Sequence, residues 1–404
     1  MPDPSRRILT INAGSSSIKF GLFETDGALR RIVSGAIERI GLPGSTLTLK
    51  SIEPAQSLSR PVKAMDQEAA VRELMSWIET RADPVALSAV AHRIVQGGPN
   101  YDQHQRITAP MLAELRKLSL FDPEHMPQEI RLAELFHERF PELPQVACFD
   151  TAFHRDLPRV ARILPIPRRY EARGVRRYGF HGLSYAFLIQ RLAELAGAGA
   201  AQGRVILAHL GNGASLAALR AGRSLDTSMA FTPTAGVPMS TRSGDLDPGL
   251  VWYLASSEQL DARGFQHMVN SESGLLGVSE TSSDMRDLLA REAQDVRAAE
   301  AVALFCYQVK KWVGAFAAAL GGLDTLVFAG GIGEQAPAVR ERICEGLGFL
   351  GLTIDAAQNR ANAGLISTAA SRVAVRVIAT DEEQIMAKLA CELLWPGLSG
   401  EVEA

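Results

Sequence analysis

Ionisable side chains stand just after several apolar runs of this sequence. Arg93 lies in AHRIV, Asp150 follows ACF, and His209 lies in LAHLGNG, while His181 and Arg242 lie in YGFHG and STRSGDLDP. The carboxyl ends of strands in α/β proteins meet along one crevice, so these groups are expected to converge. Arginines, imidazoles and a carboxylate suit phosphoryl transfer to an anion, because cationic donors offset the repulsion between the two anions.

Three glycine-rich polar turns follow apolar runs, at 12–17 (NAGSSS), 211–215 (GNGAS) and 330–334 (GGIGE). Successive backbone N–H groups in such turns form an anion-binding concavity, and three of them favour nucleotide phosphates. A GxxxxGK[ST] loop does not occur. Lys19, one of seven lysines, lies just beyond the first turn, where it either contacts a phosphate or only aids solubility.

An acidic segment, TDEE at 380–383, follows another apolar run. Mg²⁺ needs only one or two protein carboxylates when phosphates complete its coordination. Acidic residues at a helix start also complement the helix dipole, so both interpretations stay open.

Strand and helix patterns alternate along the chain, which is typical of an α/β protein. The 404 residues suffice for two or three domains. ILTINAGSSSIKFGLF resembles VILAHLGNGASLAAL at 205–219, which indicates a duplicated domain unless the two hairpins are unrelated. The predicted strands are 8–11, 88–95, 145–149, 205–210, 326–329 and 373–378, and the predicted helices are 68–80, 127–140, 183–195, 299–320 and 382–395.

The composition indicates a soluble globular protein of the cytoplasm. A net charge of −3 gives no general attraction to nucleic acid or to anionic membranes. Eight arginines within 155–177 leave a nucleic-acid patch as an alternative to a solvated, partly functional surface. Four cysteines without metal spacing are expected to be reduced thiols. The N-terminus lacks a signal-peptide core, and the apolar region 313–333 is interrupted by Asp324 and glycines, which favours a buried helix, turn and strand.

Seven motifs in this order resemble those of the acetate and propionate kinases, members of the sugar kinase, Hsp70 and actin (ASKHA) superfamily. They are INAGSSSIKF, HRIVQGG, FDTAFH, RYGFHG, HLGNGAS, TRSGDLDP and GGIGE. The resemblance implies a duplicated, ribonuclease H-like α/β fold with a nucleotide cleft between two domains. Residues 1–150 with 381–404 would form the acyl-substrate domain, and 151–380 the nucleotide domain. The implied reaction converts ATP and a short carboxylate, acetate in the first place, to ADP and an acyl phosphate, with Mg²⁺ or substituting Mn²⁺, in a homodimer.

The resemblance also implies roles for individual residues. The catalytic residues would be Asp150, Arg93, Arg242, His181 and His125. The metal-site residues would be Asn12 and Glu382. The acyl pocket would be formed by Arg93, Val95, Glu124, Phe180 and Pro233. The nucleotide-binding residues would be Ser15, Ser17, Lys19, His209, Leu210, Gly211, Asn212, Gly213, Asp284, Met285, Arg286, Gly331, Ile332, Gly333, Glu334 and Gln335.

The chain departs from the family pattern at several positions. Glu124 stands where the family has an apolar pocket residue, and because a buried carboxylate is costly it must be paired, turned outward or neutral. Propionate or another short acid therefore remains an alternative to acetate. A chaperone-like ATPase switch is the alternative from another class. The further departures are Gln96 and Tyr185 for histidines, and Gln335 and Asp381 for asparagines.

Overall fold

A computed structural model describes residues 6–14, 17–25, 28–53, 57–81 and 87–396. The chain divides into two compact units, which are Met1–Ala152 with Asp381–Ala404, and Phe153–Thr380. Each unit contains one β-sheet and its own buried apolar cluster. None of the helices in the described part of the chain is long and apolar enough to cross a membrane.

The strands and helices are numbered here in chain order. The strands are β1 Arg6–Ala13, β2 Ser17–Thr25, β3 Leu29–Glu38, β4 Thr46–Ser51, β5 Leu58–Pro61, β6 Leu87–Ile94, β7 Gln105–Arg106, β8 Gln145–Phe149, β9 Arg204–Leu210, β10 Ala214–Arg220, β11 Arg223–Thr227, β12 Thr325–Ala329 and β13 Ala374–Val377. The α-helices are α1 Gln67–Arg81, α2 Ala109–Lys117, α3 Met126–Arg139, α4 Arg159–Arg162, α5 Arg168–Glu171, α6 Gly182–Ala196, α7 Ala198–Gln202, α8 Gly249–Ser257, α9 Ala262–His267, α10 Gly274–Ser279, α11 Met285–Arg291, α12 Val296–Leu320, α13 Gly330–Gln335, α14 Pro337–Cys344, α15 Ala356–Arg360 and α16 Glu382–Leu394.

The two sheets share a five-strand core of the same order and direction. In the first unit the order is β3-β2-β1-β6-β8, extended by β4 and β5 at one edge and by β7 at the other. In the second unit the order is β11-β10-β9-β12-β13. In both cores the first three strands are antiparallel, and the last two continue parallel to the central strand. The predicted duplication is therefore confirmed, and the alternative of two unrelated hairpins is wrong.

The predicted elements all form, and their ends differ from the predicted ones by no more than three residues. The predicted helix 299–320 begins three residues earlier, because the Asp295 carboxylate caps the N–H groups of Arg297 and Ala298. The helix, turn and strand expected across 313–333 are α12, two glycines with positive φ, and the fully buried β12. The sequence patterns did not identify β3, β4 and β5, which carry fewer buried residues than the central strands.

The structure corrects the expectation for the third glycine-rich turn, because GGIGE forms the short helix α13 and is not an open turn. Gly330 has φ +74°, which turns the chain from β12 directly into a helix. An added Cβ at Gly330 would lie 2.7 Å from the Leu210 carbonyl oxygen, so this position also requires glycine for space. The Glu334 carboxylate accepts the Gly330 N–H at 2.9 Å and the Thr380 N–H at 3.2 Å.

The arginine-rich segment 155–177 is partly structural. It contains two single-turn helices, α4 and α5, which are joined by an ion pair between Arg159 and Glu171. Arg177 donates to the backbone carbonyls of Thr227 and Met229. At least these two arginines therefore have structural partners within the second unit.

The four cysteines are free thiols, as predicted, and three of them are buried. Burial raises the pKa of the Cys306 thiol to about 11 and that of Cys344 to about 12.

Arg340 on α14 fixes the position of α13. Its side chain is fully buried and donates to the carbonyls of Gly333 and Glu334 at 2.8 and 3.0 Å. It also donates to Asn359, through both the side-chain and the backbone oxygen, and to Asn362. These acceptors are all neutral oxygens, and burial lowers the pKa of the guanidinium to about 10. Because this one side chain satisfies several buried acceptors, the α13 turn depends on it.

We expect Arg340→Met to lower the free energy of unfolding by about 3 kcal/mol or more, because it leaves several buried carbonyl and amide oxygens without donors. Arg342→Gln, two residues along the same helix, removes a more exposed ion pair with Glu292 and should cost less than about 1 kcal/mol. Urea unfolding followed by circular dichroism compares the two variants. Equal midpoints for both would contradict the structural role of Arg340.

Candidate active site

In the first unit, Arg93 and Asp150 lie at the carboxyl ends of neighbouring parallel strands. Arg93 is the penultimate residue of β6, Asp150 follows β8 directly, and Ile94 pairs with Phe149 in the register. Arg93 Nη2 lies 2.6 Å from Asp150 Oδ2. The Asp150 side chain is 1% exposed and that of Arg93 14% exposed. The predicted convergence of these two residues is present, and the buried ion pair fixes the guanidinium.

Glu382 belongs to the same group of charges. It is the first residue of α16, and its Oε2 accepts the Asn12 side-chain N–H at 2.7 Å. Burial raises the pKa of Glu382, and repulsion from the Asp150 carboxylate raises it further, against the effects of Arg93, Asn12 and Lys19. We call Asn12, Arg93, Asp150 and Glu382, together with Glu129, which is described below, the acid–arginine cluster.

The acid–arginine cluster contains oxygen donors of the kind that Mg²⁺ binds. Within the described ranges, no group of three or more His, Cys, Asp or Glu side chains is arranged to hold a metal ion. The cluster does present two mutually repelling buried carboxylates beside an amide, and a divalent cation would relieve that repulsion. Mg²⁺ prefers oxygen ligands and retains waters and phosphate oxygens, so such a limited donor set suits it.

Glu129 is a member of the cluster that sequence reasoning missed. It lies in the first turn of α3, is 2% exposed, and its Oε1 lies 3.3 Å from Arg93 Nη1. Its Oε2 accepts the Val95 N–H at 2.8 Å. The available signal was a carboxylate on the apolar face of an amphipathic helix, beside Met126 and Ile130 and one turn before Ala133.

The segment before α3 contains the two other acyl-side candidates. His125 Nδ1 lies 2.9 Å from Asp122 Oδ1, which orients the imidazole. Glu124 is partly exposed, and no hydrogen bond or ion pair joins its side chain to the described residues around it. Asp122 and Glu129 are therefore the deeply buried carboxylates of this region, whereas Glu124 is turned partly outward, which is one of the three possibilities stated above for its side chain. Val95 is buried at the end of β6.

The first glycine-rich turn joins β1 to β2. Ser15 lies outside the described residues. Gly14 donates its N–H to the Ser17 carbonyl, and Asn12 pairs with Lys19 across the hairpin. Lys19 is exposed, and its charge lowers the pKa of Glu382.

In the second unit, the rings of His181 and His209 stack on each other. The His181 and His209 ring centroids lie 4.3 Å apart with an interplanar angle of 27°. His181 Nδ1 lies 2.8 Å from Ser215 Oγ, and His209 Nδ1 lies 2.8 Å from Ser184 Oγ. His181 has φ +58°, an uncommon conformation for a residue with a Cβ, and it precedes α6 directly.

Arg242 and His181 border the same glycine. A Cβ added to Gly213 would lie 3.1 Å from His181 Nε2 and 3.5 Å from Arg242 Nη1. Arg242 also donates to the carbonyl of Pro233 at 3.4 Å, and Phe180 is buried immediately before His181. The structure thus brings together the candidate residues of three separate segments.

The second and third glycine-rich segments are also adjacent. His209 pairs with Ala329 because β9 and β12 are neighbouring parallel strands. A Cβ on Gly211 would lie 3.9 Å from the Gly331 backbone nitrogen. The other nucleotide-binding candidates lie in the same two segments. Leu210 and Gly333 are buried, and the Asn212 backbone carbonyl accepts the Ser240 N–H. Gly331, Ile332 and Gln335 are at least partly exposed.

The Asp284–Arg286 pair forms a separate group within the second unit. Asp284 caps α11 by accepting the Arg286 N–H, and the Arg286 side chain forms an ion pair with the same carboxylate. The pKa of Asp284 is lowered chiefly by this hydrogen bond. Among the described residues, no hydrogen bond or ion pair joins either side chain to the 330–335 segment. Met285 between them is buried.

Tyr185 and Gln96, which stand where the family has histidines, both form hydrogen bonds in the structure. The Tyr185 hydroxyl lies 2.5 Å from Ser215 Oγ, the same oxygen that contacts His181. Gln96 is buried, and its Oε1 accepts the N–H of Gly98, a residue with φ +64°. Tyr185 thus supports the histidine and Gln96 supports a glycine turn.

Comparison with known proteins gives the same assignment over nearly the whole chain. The sequence model of the Acetokinase family matches residues 7–388. The chain is 43% identical over 386 residues to an acetate kinase of Rhodopseudomonas palustris, covering 94% of this chain and 96% of that protein. It is 41% identical over 389 residues to a propionate kinase of Citrobacter rodentium, covering 95% and 96%.

A solved structure agrees with these relatives. The crystal structure of Porphyromonas gingivalis acetate kinase matches with a TM-score of 0.85 and 35% identity, covering 96% of this chain and all of that one. The duplicated sheet core is therefore the ASKHA fold. The chain belongs to the acetokinase family of ATP-dependent phosphotransferases, whose acceptor is a carboxyl group.

Proposed function

We propose that this protein transfers the γ-phosphoryl group of ATP to acetate, giving acetyl phosphate and ADP. The observation that carries this proposal is the buried Arg93, held at a strand end by Asp150, since a fixed guanidinium is suited to gripping a small carboxylate. The acetate kinase relatives favour acetate as the acceptor. The propionate kinase relative makes propionate the second candidate.

In this proposal Arg93 binds and orients the carboxylate, and one of its oxygens attacks the γ-phosphorus in line. Acetate has a pKa of about 4–5, so it needs no general base at neutral pH. Asp150 therefore orients Arg93 and the metal or its bound water, and it does not abstract a proton. Val95 and Glu124 of the first unit and Phe180 and Pro233 of the second are the residues that would contact the acyl group, and His125 would contact the reacting groups.

Arg242 and His181 donate to the transferring phosphoryl group. The charge that develops on its equatorial oxygens is where fixed cationic donors contribute most. The Ser215 contact orients the His181 ring through Nδ1, and its Nε2 lies beside Gly213 of the second glycine-rich turn. The His209–Gly213 turn, Ser15, Ser17 and Lys19 would contact phosphates, while Asp284–Arg286 and Gly331–Gln335 would contact the adenosine.

Asn12 and Glu382, with Asp150 nearby, would hold Mg²⁺, which supplies charge neutralisation for the nucleotide phosphates. We place the enzyme in the cytoplasm, where ATP is available. We also propose a homodimer, supported by the exposed Trp252 and Tyr253 on α8, whose burial by a second copy would remove apolar surface from water.

The reaction itself is tested by trapping acyl phosphate as its hydroxamate in the presence of Mg-ATP. We expect product with acetate and with propionate, and a higher kcat/KM for acetate than for propionate or butyrate. A higher kcat/KM for propionate would make the second candidate correct. ATP hydrolysis without any acyl hydroxamate would contradict the kinase assignment.

Arg242→Ala should lower kcat by about 10²–10³-fold while the circular dichroism spectrum is unchanged, because it removes a donor used in the transition state. Arg360→Ala, an exposed arginine on α15 of the same unit, is the matched control and should retain wild-type turnover. Wild-type kcat in Arg242→Ala would remove this residue from the chemistry.

Tyr185→Phe should lower kcat by about two- to tenfold with little change in KM, since one hydrogen bond of about 0.5–1.5 kcal/mol to the serine behind His181 is lost. Tyr178→Phe is the control, because this buried hydroxyl donates to the Gly174 carbonyl instead. Steady-state kinetics on both variants decide the question. Equal losses in the two would attribute the effect to general destabilisation.

A further inference from the structure

Glu129 joins α3 to the end of β6 through both of its carboxylate oxygens. One oxygen lies 3.3 Å from Arg93 Nη1, and the other accepts the Val95 N–H at 2.8 Å. The side chain is 2% exposed. Both of its partners belong to the acyl side of the proposed reaction, so this one carboxylate contacts the guanidinium and the backbone of the pocket wall at once.

We propose that Glu129 is a positioning residue that aims the Arg93 guanidinium and, when ionised, competes with the carboxylate of the acyl substrate for it. The inference rests on the proposed function, in which Arg93 binds that carboxylate. It assigns to the enzyme a pH-dependent affinity for its acceptor.

The charges around Arg93 explain the competition. The guanidinium already contacts Asp150 at 2.6 Å, and the nearby Glu382 carboxylate adds negative charge. With Glu129 ionised, three carboxylates surround one arginine, and the substrate brings a fourth. Repulsion between buried carboxylates is poorly screened, so the substrate binds more tightly when Glu129 carries a proton.

The environment of Glu129 places this change near neutral pH. Burial raises the pKa of its carboxyl to about 7, and the Asp122 carboxylate adds to the rise. Arg93, the Val95 N–H and His125 oppose it. These are the groups that face Glu129 from β6 and from the segment before α3. Below pH 7 Glu129 is mostly neutral, and above pH 7 it is mostly ionised.

The sign of the effect follows directly. Acetate stays ionised between pH 6 and 8 because its own pKa is about 4–5. As the pH rises through 7, the ionised Glu129 takes up the Arg93 donors, and the KM for acetate rises. Since kcat reports on the complex already formed, it should change less.

The test is the KM for acetate and kcat from pH 6 to 8 at saturating Mg-ATP, for the wild type, Glu129→Gln and Glu134→Gln. The wild-type KM should rise by about three- to tenfold, where tenfold corresponds to one pKa unit of coupling. Glu129→Gln, a neutral residue of the same size, should have a KM that does not change with pH. Glu134→Gln makes the same substitution five residues along α3, where the carboxylate pairs with Arg116 and Arg131, and it should follow the wild type.

The titration of ATP itself is common to all three proteins, so the difference between the wild type and Glu129→Gln isolates this residue. A second measurement uses acetate alone: its stabilisation of the wild type in thermal unfolding should weaken from pH 6 to 8. If Glu129→Gln does not fold, the pH dependence of the wild-type KM and that of the wild-type thermal stabilisation by acetate still test the inference.

A wild-type KM that stays flat with pH would overturn the inference, as would a Glu129→Gln variant that retains the wild-type profile. Either result is compatible with acyl phosphate formation. Absence of acyl phosphate with every acid tested would instead overturn the proposed function.

Discussion

An arginine held among buried carboxylates is the interaction that organises the acyl side of this protein. Removing charges from water is costly, and the cost is offset only when the geometry of the ion pair is good and the remaining donors are satisfied. Arg93 meets this condition through Asp150 and Glu129. Because the three residues come from β6, the end of β8 and α3, their pairing fixes two strand ends and one helix relative to each other.

The duplicated sheet core gives each unit its own set of polar residues at strand ends. Each core places polar residues after parallel central strands, where backbone groups are no longer used by the sheet. The first unit carries the carboxylates and Arg93, and the second carries the stacked histidines and Arg242. A common scaffold thus positions an arginine among carboxylates in one copy and two stacked histidines with an arginine in the other.

Acceptor preference is a separate matter from phosphoryl transfer. The groups around the glycine-rich turns of the second unit are fixed by strand ends and glycine geometry, whereas the acyl side that we propose depends on the segment before α3. In that segment and the first turn of α3, Glu124 is partly exposed and Glu129 is buried. Glu124 therefore departs from the family pattern, but it is Glu129 that places a negative charge next to Arg93. One methylene in an apolar pocket changes discrimination by only about 1–3 kcal/mol.

The sequence by itself determined the α/β class, the duplicated hairpins and the central strands, because apolar periodicity and glycine-rich turns are local patterns. Most candidate residues followed from the resemblance of its motifs to those of a known family. Only the tertiary structure decided that GGIGE becomes a helix, since that depends on Glu334 and on Arg340 from the next helix. Tertiary structure likewise decided that Glu129 faces Arg93 and that Tyr185 supports His181. These are contacts between residues far apart in the chain, and the pKa of a buried carboxylate depends on partners that no local pattern specifies.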